Sequence, residues 1–404
     1  MRRISFGNKK TAIMTNRSRR IGFALSLFSV GMLLLFLTPP ITRVGKAINT
    51  RPLPTVNRST SSLCPACLTA TTQTIYAPLI QLDESTGTEI NLNCRSAHAL
   101  EVTPTFYTQK GEAITGDAFE MAPAEVRTVD LKTLMPRNIR NRHDLGGMTL
   151  GHDGGLMEMW GQLRLLRVGG GDSTDVTFVN ISDKRSDVRD AVWPIPDHGT
   201  AEIGIGNLGS NAVTAKLQFS NGDYQEIKVP SFGTEIVRRH RGQSADDAEG
   251  LRITAADGSG DLIPTGVVTG SHLRSSIRFY DTKNVAQPNL YATNFRLHHV
   301  SSKIVLRNPS DQSLIATPRL RSVKGSPNDF IDSSVISLSA GEIKSVDLDS
   351  ISRAAHRRSD FDTVSIEVMN SGGNGSLIAA LNGVDETTGM AYDVPLRDSG
   401  GLAI

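Results

Sequence analysis

The feature that most constrains this chain is that it repeats itself. IYAPLIQL at 75–82 is matched by LYATNFRL at 290–297, and AEVRTVDL at 124–131 by GEIKSVDL at 341–348. Both matches span nearly the same distance along the chain, and the interval leaves room for one intervening copy. That copy can be located. TEINLNC around Ile90, AEIGIGN around Ile203 and SKIVLRN around Ile304 align as one strand, which puts Cys94, Asn207 and Asn308 at equivalent positions. A later hairpin recurs in GMTLGHDGGLMEMWG, LRITAADGSGDLIPTG and VSIEVMNSGGNGSLIAALNG, and the copies close with TDVTFVN, SSIRFYD and TGMAYDV.

Within each copy the apolar residues recur at every second position, as in Ile90 and Leu92 against Asn91 and Asn93, and Gly, Asn, Asp and Pro supply the turns. This is strand patterning without βαβ alternation, so the expected fold is all-β, with three tandem antiparallel β-sandwich modules at 75–185, 186–284 and 285–398 and a tail at 399–404. Only LKTLMPRNIRNRH and LDSISRAAHRR read as helical, each as a short crossover between sheets. The arrangement resembles the tandem immunoglobulin-like or fibronectin-III-like proteins of the bacterial envelope or cell surface. The resemblance covers 75–398 and is architectural: no copy holds two cysteines, and Trp160 and Trp193 do not recur. It implies a spacer, adhesion or binding role and assigns no site residue.

The first twenty residues carry Arg2, Arg3, Lys9, Lys10, Arg17, Arg19 and Arg20 and no acid, and run into the apolar stretch IGFALSLFSVGMLLLFL at 21–37. The expected organisation is a basic cytoplasmic stub at 1–20, a transmembrane signal anchor or signal peptide at 21–38 and a Thr/Ser/Pro-rich tether at 39–74. The basic flank stays cytoplasmic, so the modules are expected outside, periplasmic or on the cell surface, and secreted if the segment is cleaved. No small-x-small cleavage site lies near the apolar end, which favours the uncleaved anchor. The tether contains Cys64 and Cys67 as a lone CPAC. Zinc would need two more ligands, so in an oxidising compartment a disulfide is the expected state.

With 43 Lys+Arg against 41 Asp+Glu in 404 residues, the charge nearly cancels, and a nucleic-acid binder is not expected. No nucleophile elbow, zinc-protease motif, phosphate loop or dinucleotide fingerprint occurs, so neither catalysis nor a cofactor is expected. His152-Asp153 and Asp257 to Asp261 read as turn chemistry, and His298-His299 as an isolated pair. One pattern stands out. Arg137, Arg140 and Arg142, then Arg238, Arg239 and Arg241, then Arg353, Arg357 and Arg358 follow the VRTVDL strand or its counterpart. Such loops would make a row of cationic knobs for an anionic envelope polymer or lipid headgroups. The expected protein is a non-catalytic adhesive, binding or spacer array with other envelope proteins as further partners. The alternatives are an envelope hydrolase acting on glycan or peptide, and a structural subunit of an envelope assembly.

Overall fold

The computed structural model of the chain describes residues 73–398 except 83–85, 168–172, 196–198, 241–246, 271–273, 286, 297–299, 324–329, 349–350, 352, 354–362, 386–390 and 395. The apolar stretch at 21–37, Cys64, Cys67, Arg241, His298, His299, Arg357 and Arg358 therefore lie outside the described residues. Among the described residues no helix is long and apolar enough to cross a membrane.

The fold is all-β, made of several antiparallel sheets. The chain begins with β1 (Gln73–Ala77), β2 (Thr86–Cys94), β3 (Leu100–Thr108), β4 (Ala113–Thr115), β5 (Phe119–Met121), β6 (Val126–Asp130), β7 (Leu145–His152), β8 (Met159–Arg167), β9 (Ser173–Thr177) and β10 (Val179–Asn180). It continues with β11 (Val188–Pro194), β12 (Thr200–Asn207), β13 (Val213–Phe219), β14 (Tyr224–Val229), β15 (Thr234–His240), β16 (Ala248–Ala255), β17 (Leu262–Thr269), β18 (Arg274–Ile277) and β19 (Phe279–Tyr280). It ends with β20 (Leu290–Arg296), β21 (Val300–Arg307), β22 (Leu314–Ser322), β23 (Phe330–Asp332), β24 (Ile336–Leu338), β25 (Ile343–Asp347), β26 (Thr363–Asn370), β27 (Ile378–Asp385), β28 (Ala391–Val394) and β29 (Arg397–Asp398).

The strand orders recur. The first pair of sheets runs β10-β1-β7-β3-β4 and β6-β2-β8-β9, with β5 also on β3. The second runs β19-β11-β16-β13-β14 and β15-β12-β17-β18, and the third β29-β20-β26-β22-β23 and β25-β21-β27-β28, with β24 on β22. The segment that closes each copy crosses from one sheet to the other, β9 to β10, β18 to β19 and β28 to β29. The buried apolar residues form three clusters, one per pair, to which Ile90, Ile203 and Ile304 contribute from corresponding strands. Burying each such side chain stabilises the fold by about 1.5–3 kcal/mol.

Corresponding backbone positions meet corresponding partners. The amide of Cys94 donates to Glu125 O (2.8 Å), that of Asn207 to Gly233 O (3.0 Å) and that of Asn308 to Glu342 O (3.0 Å). Asn207 Nδ2 donates to the carbonyls of Asn211, Val229 and Pro230, and Asn308 Nδ2 to those of Gln312, Leu338 and Ser339. A fully buried amide with three donations ties two turns together, because leaving those carbonyls unpaired would cost about 1–3 kcal/mol each. Cys94 fills the same place as a buried free thiol. The turn beside it holds a left-handed residue in every copy, Ala124 (φ 56°), Phe232 (φ 55°) and Gly341 (φ 73°).

Of the two expected helical stretches, the first forms one turn, α1 (Leu131–Leu134), then a 3-10 turn at Arg137–Ile139. Asp130 caps it by accepting from Lys132 N at 2.9 Å, and Met135 leaves the helix because Pro136 follows. In the second stretch the described Ile351 and Arg353 are helical. The described residues belong to one compact unit, Ser59–Ile404, in which consecutive sheet pairs are joined by packed contacts.

Candidate functional site

The arginines singled out by sequence do not share one environment. Arg137 is exposed with no side-chain partner among the described residues, and Arg140 Nε donates to Met135 O at 3.0 Å. Arg142 pairs with Asp144 at 2.7 Å and Glu112 at 3.3 Å, and the Asp144 hydrogen bond, first among the causes, raises its pKa. Arg238 and Arg239 lie within β15, where the sequence placed a loop. Strand alternation therefore sends them to opposite faces. Arg238 is exposed and 3.1 Å from Glu202. Arg239 is buried over the Phe219 ring, 2.6 Å from Glu249 and 3.0 Å from Asp223. Burial works against its charge, but the hydrogen bonds and charges of Glu249 and Asp223 outweigh it, while burial pushes the Glu249 carboxyl up. Arg353 is exposed on its helical turn.

The other polar candidates are structural. His152 ends β7 and is buried, and burial lowers its pKa, so it is neutral at ordinary pH. Asp153 accepts from Glu101 N, and Asp257 from Ser259 N, both at 3.0 Å. Among the described residues no three His, Cys, Asp or Glu side chains are placed to hold a metal.

What the sequence reading missed are the two junctions between sheet pairs. In the first, β12 turns Ile203 and Ile205 into its own cluster and Gly204 and Gly206 outward, against Tyr76 of β1 and the Pro78–Leu79 segment that follows it. A Cβ on Gly206 would lie 2.0 Å from Tyr76 Oη, and one on Gly204 3.0 Å from Pro78 O. Tyr76 is buried there, 3.4 Å from Thr234 Oγ1, and burial pushes its hydroxyl up to about 12. Gln81 Nε2 donates to Glu202 at 3.1 Å. Phe232, in its left-handed conformation, stacks on Tyr107 with ring centroids 6.2 Å apart.

The second junction has the same geometry and different chemistry. Asn207 and Asn308 correspond, so Arg307 stands where Gly206 does, and the strand register puts Asp190 where Tyr76 is. Arg307 Nη1 donates to Ala191 O (3.1 Å) and Leu251 O (2.9 Å) and lies 3.3 Å from Asp190 Oδ1. Asp190 is wholly buried and also receives both arms of Arg252, at 2.9 and 3.1 Å, and the Thr282 hydroxyl at 2.8 Å. Burial lowers the Arg307 pKa and the Asp190 charge opposes that. Tyr280 crosses the junction to donate to Ala379 O and Leu396 O, at 2.7 and 3.0 Å. The first leaves a trace in the sequence, glycines at the outward positions of AEIGIGN, which taken alone read as weak strand formers; the second has no such glycines, since Arg307 and Asp190 stand at its outward positions.

Asp247, on the same junction, is held below the usual carboxylate range first by the Lys303 ammonium and then, against some desolvation, by the Ser345 hydroxyl. A carboxyl with a folded pKa below its unfolded value of about 3.9 stabilises the fold above that value. The contribution is lost as pH falls through the lower, folded pKa. The pair is half exposed, so Asp247→Asn should cost about 0.5 kcal/mol at neutral pH. In urea titrations the gap to wild type should close in acid, and a gap that widens there would contradict the assignment.

Beside this junction an open groove of about 420 Å3 is walled by Arg252, Thr282 and the loops 309–313 and 371–376. Its lining is mostly hydroxyl, amide and glycine backbone, and its guanidinium is engaged with Asp190 and with Pro309 O at 2.6 Å. Its lining also includes the Asp311 carboxylate, next to Ser310. No known protein family matches the chain, and no curated protein is similar to it.

Proposed function

We propose that the chain is a non-catalytic envelope or cell-surface protein, anchored through residues 21–37, whose β-sandwich modules at 75–185, 186–284 and 285–398 form a spacer and binding array. The observation that carries this reading is one strand order used three times, with consecutive copies joined by the same face-to-face contact. Catalysis asks for one asymmetric constellation of nucleophile, base and oxyanion donors. The polar groups described above instead cap turns and join sheets. The exposed Arg137, Arg238 and Arg353 supply a cationic surface toward anionic polymer or lipid headgroups.

The placement is tested in intact cells with the tether cysteines replaced by serine. A membrane-impermeant thiol reagent should label a cysteine at exposed Lys228 and spare one at Ser18, and protection of position 228 would overturn the reading. For the anionic partner, Arg137→Gln with Arg238→Gln should elute earlier from a polyanion column at low salt and together with wild type at high salt. Unchanged elution at low salt removes that partner.

A further inference from the structure

The three larger sheets end differently on the side of β3, β13 and β22. The first repeat breaks that edge into β4 and β5 and the third into β23 and β24, three residues each, and short strands of this kind keep an edge from pairing with other strands. The middle repeat does not break it. Its edge is the six-residue strand β14, exposed at Tyr224, Gln225, Glu226 and Lys228. The backbone groups on the open side follow from the ladder. Ala256 donates to Thr214 O and Ser220 to Gly250 O, both at 2.9 Å, so the even residues of β13 bond to β16 and the odd ones to β14. Phe219 accordingly donates to Asp223 O at 2.9 Å, and in register Leu217 and Ala215 face Gln225 and Ile227. Alternation leaves the N–H and C=O of Tyr224, Glu226 and Lys228 directed off the edge.

We propose that two molecules of this chain join by these edges, β14 running antiparallel to β14 about a two-fold axis at Ile227. The side chains select that register. Centring the pair on Ile227 sets Glu226 opposite Lys228 of the other molecule on both sides of the axis, and each such pair exchanges both of its backbone hydrogen bonds. Centring it on Glu226 or on Lys228 would set that charge against itself, and centring it on Gln225 would carry Lys228 past the end of the opposite strand.

Each charge has room for the partner this supplies. Within one molecule Lys228 lies across the ladder from Thr214 and has no anion among the described residues. Glu226 accepts from the Tyr224 hydroxyl with one carboxylate oxygen and keeps the other. The same register sets Tyr224, 58% exposed, against Pro230 of the other molecule. A lysine on an edge ordinarily repels a second strand, but here the residue that meets it is a glutamate. The contact is the same patch on both molecules, so it closes at two. One strand pair buries less than a standard interface, which makes the dimer weak and dependent on concentration. It goes beyond the array reading and depends on neither the anchor nor an anionic polymer.

The test uses the full chain in detergent with Cys64 and Cys67 replaced by serine. At the axis Ile227 meets Ile227 of the other molecule with no backbone bond between them, a placement that sets Cα atoms about 4.5 Å apart. A disulfide spans about 4.4–6.8 Å, so Ile227→Cys should give a covalent dimer, and nothing larger, on mild oxidation. Gln225→Cys, on the same face, should give none beyond the parent background, because its opposite position is 229 and the two cysteines would stand roughly 14 Å apart. In sedimentation of the uncrosslinked chain, Glu226→Lys and Lys228→Glu should each shift the mass toward monomer. A mixture of the two variants, or both substitutions in one chain, should restore the dimer. Lys228→Cys, the variant labelled in cells, removes the cation of this pairing and so leaves its own position open. No dimer from Ile227→Cys, an equal one from Gln225→Cys, or no restoration in the mixture would overturn the proposal.

Discussion

Replacing Asp190 by alanine should lower the unfolding free energy by about 3–5 kcal/mol, the usual consequence of leaving buried cations without their anion. Arg307 has a 7% exposed side chain and cannot turn to water, whereas Arg252, at 34%, can. The loss should thus follow Arg307. Urea denaturation read through Trp193, which is buried on the same strand, should show a lower midpoint at unchanged slope. Asp190→Leu combined with Arg307→Leu should recover most of the loss, since replacing both partners by apolar groups avoids the stranded charge. A change within about 0.5 kcal/mol for the alanine variant would show that the cluster adds nothing to the fold.

Gly206→Ala is the second substitution with a large expected effect, although it adds one methyl. That methyl would stand 2.0 Å from Tyr76 Oη and 2.8 Å from Tyr76 Cζ, and the ring is sealed on every side. Overpacking of this kind costs about 1–3 kcal/mol. Removing the hydroxyl in a Tyr76→Phe background eliminates the nearest clash and should return part of that loss, leaving the ring contact. If Tyr76→Phe brings no recovery, the penalty arises within β12 and the junction is not its origin. Gly222, whose φ of +91° makes any side chain strained, is a poorer control than Gly373, which has no such φ and around which nothing lies within 4 Å.

The alternation of Ile90, Ile203 and Ile304 with polar neighbours made the strands legible, because a half-buried strand must show one face to oil and the other to water. The alignment of Cys94, Asn207 and Asn308 was legible for the same reason, and their common backbone partners follow from it. Arg239 was misplaced because basic residues beside a histidine read as a loop. Its strand partner and its carboxylates at 223 and 249 are apart in sequence, and only folding gathers them. The junctions were illegible for a related reason. Asp190 and Arg307 occupy outward positions of their strands, where a charge ordinarily signals solvent, and Gly204 and Gly206 read as weak strand formers. An outward residue becomes buried when a second sheet covers it, and the period-two pattern of one strand carries no information about that cover.

The difference between the two junctions fixes the order of the copies. Deleting the middle one would bring Tyr76 onto Arg307, setting a phenol against a guanidinium that has lost its carboxylate. Duplicating it would bring Asp190 onto Gly206, an anion facing bare backbone. A chain shortened or lengthened by one sheet pair would thus set unlike residues against each other at its new seam, a penalty that acts without touching any strand's own core.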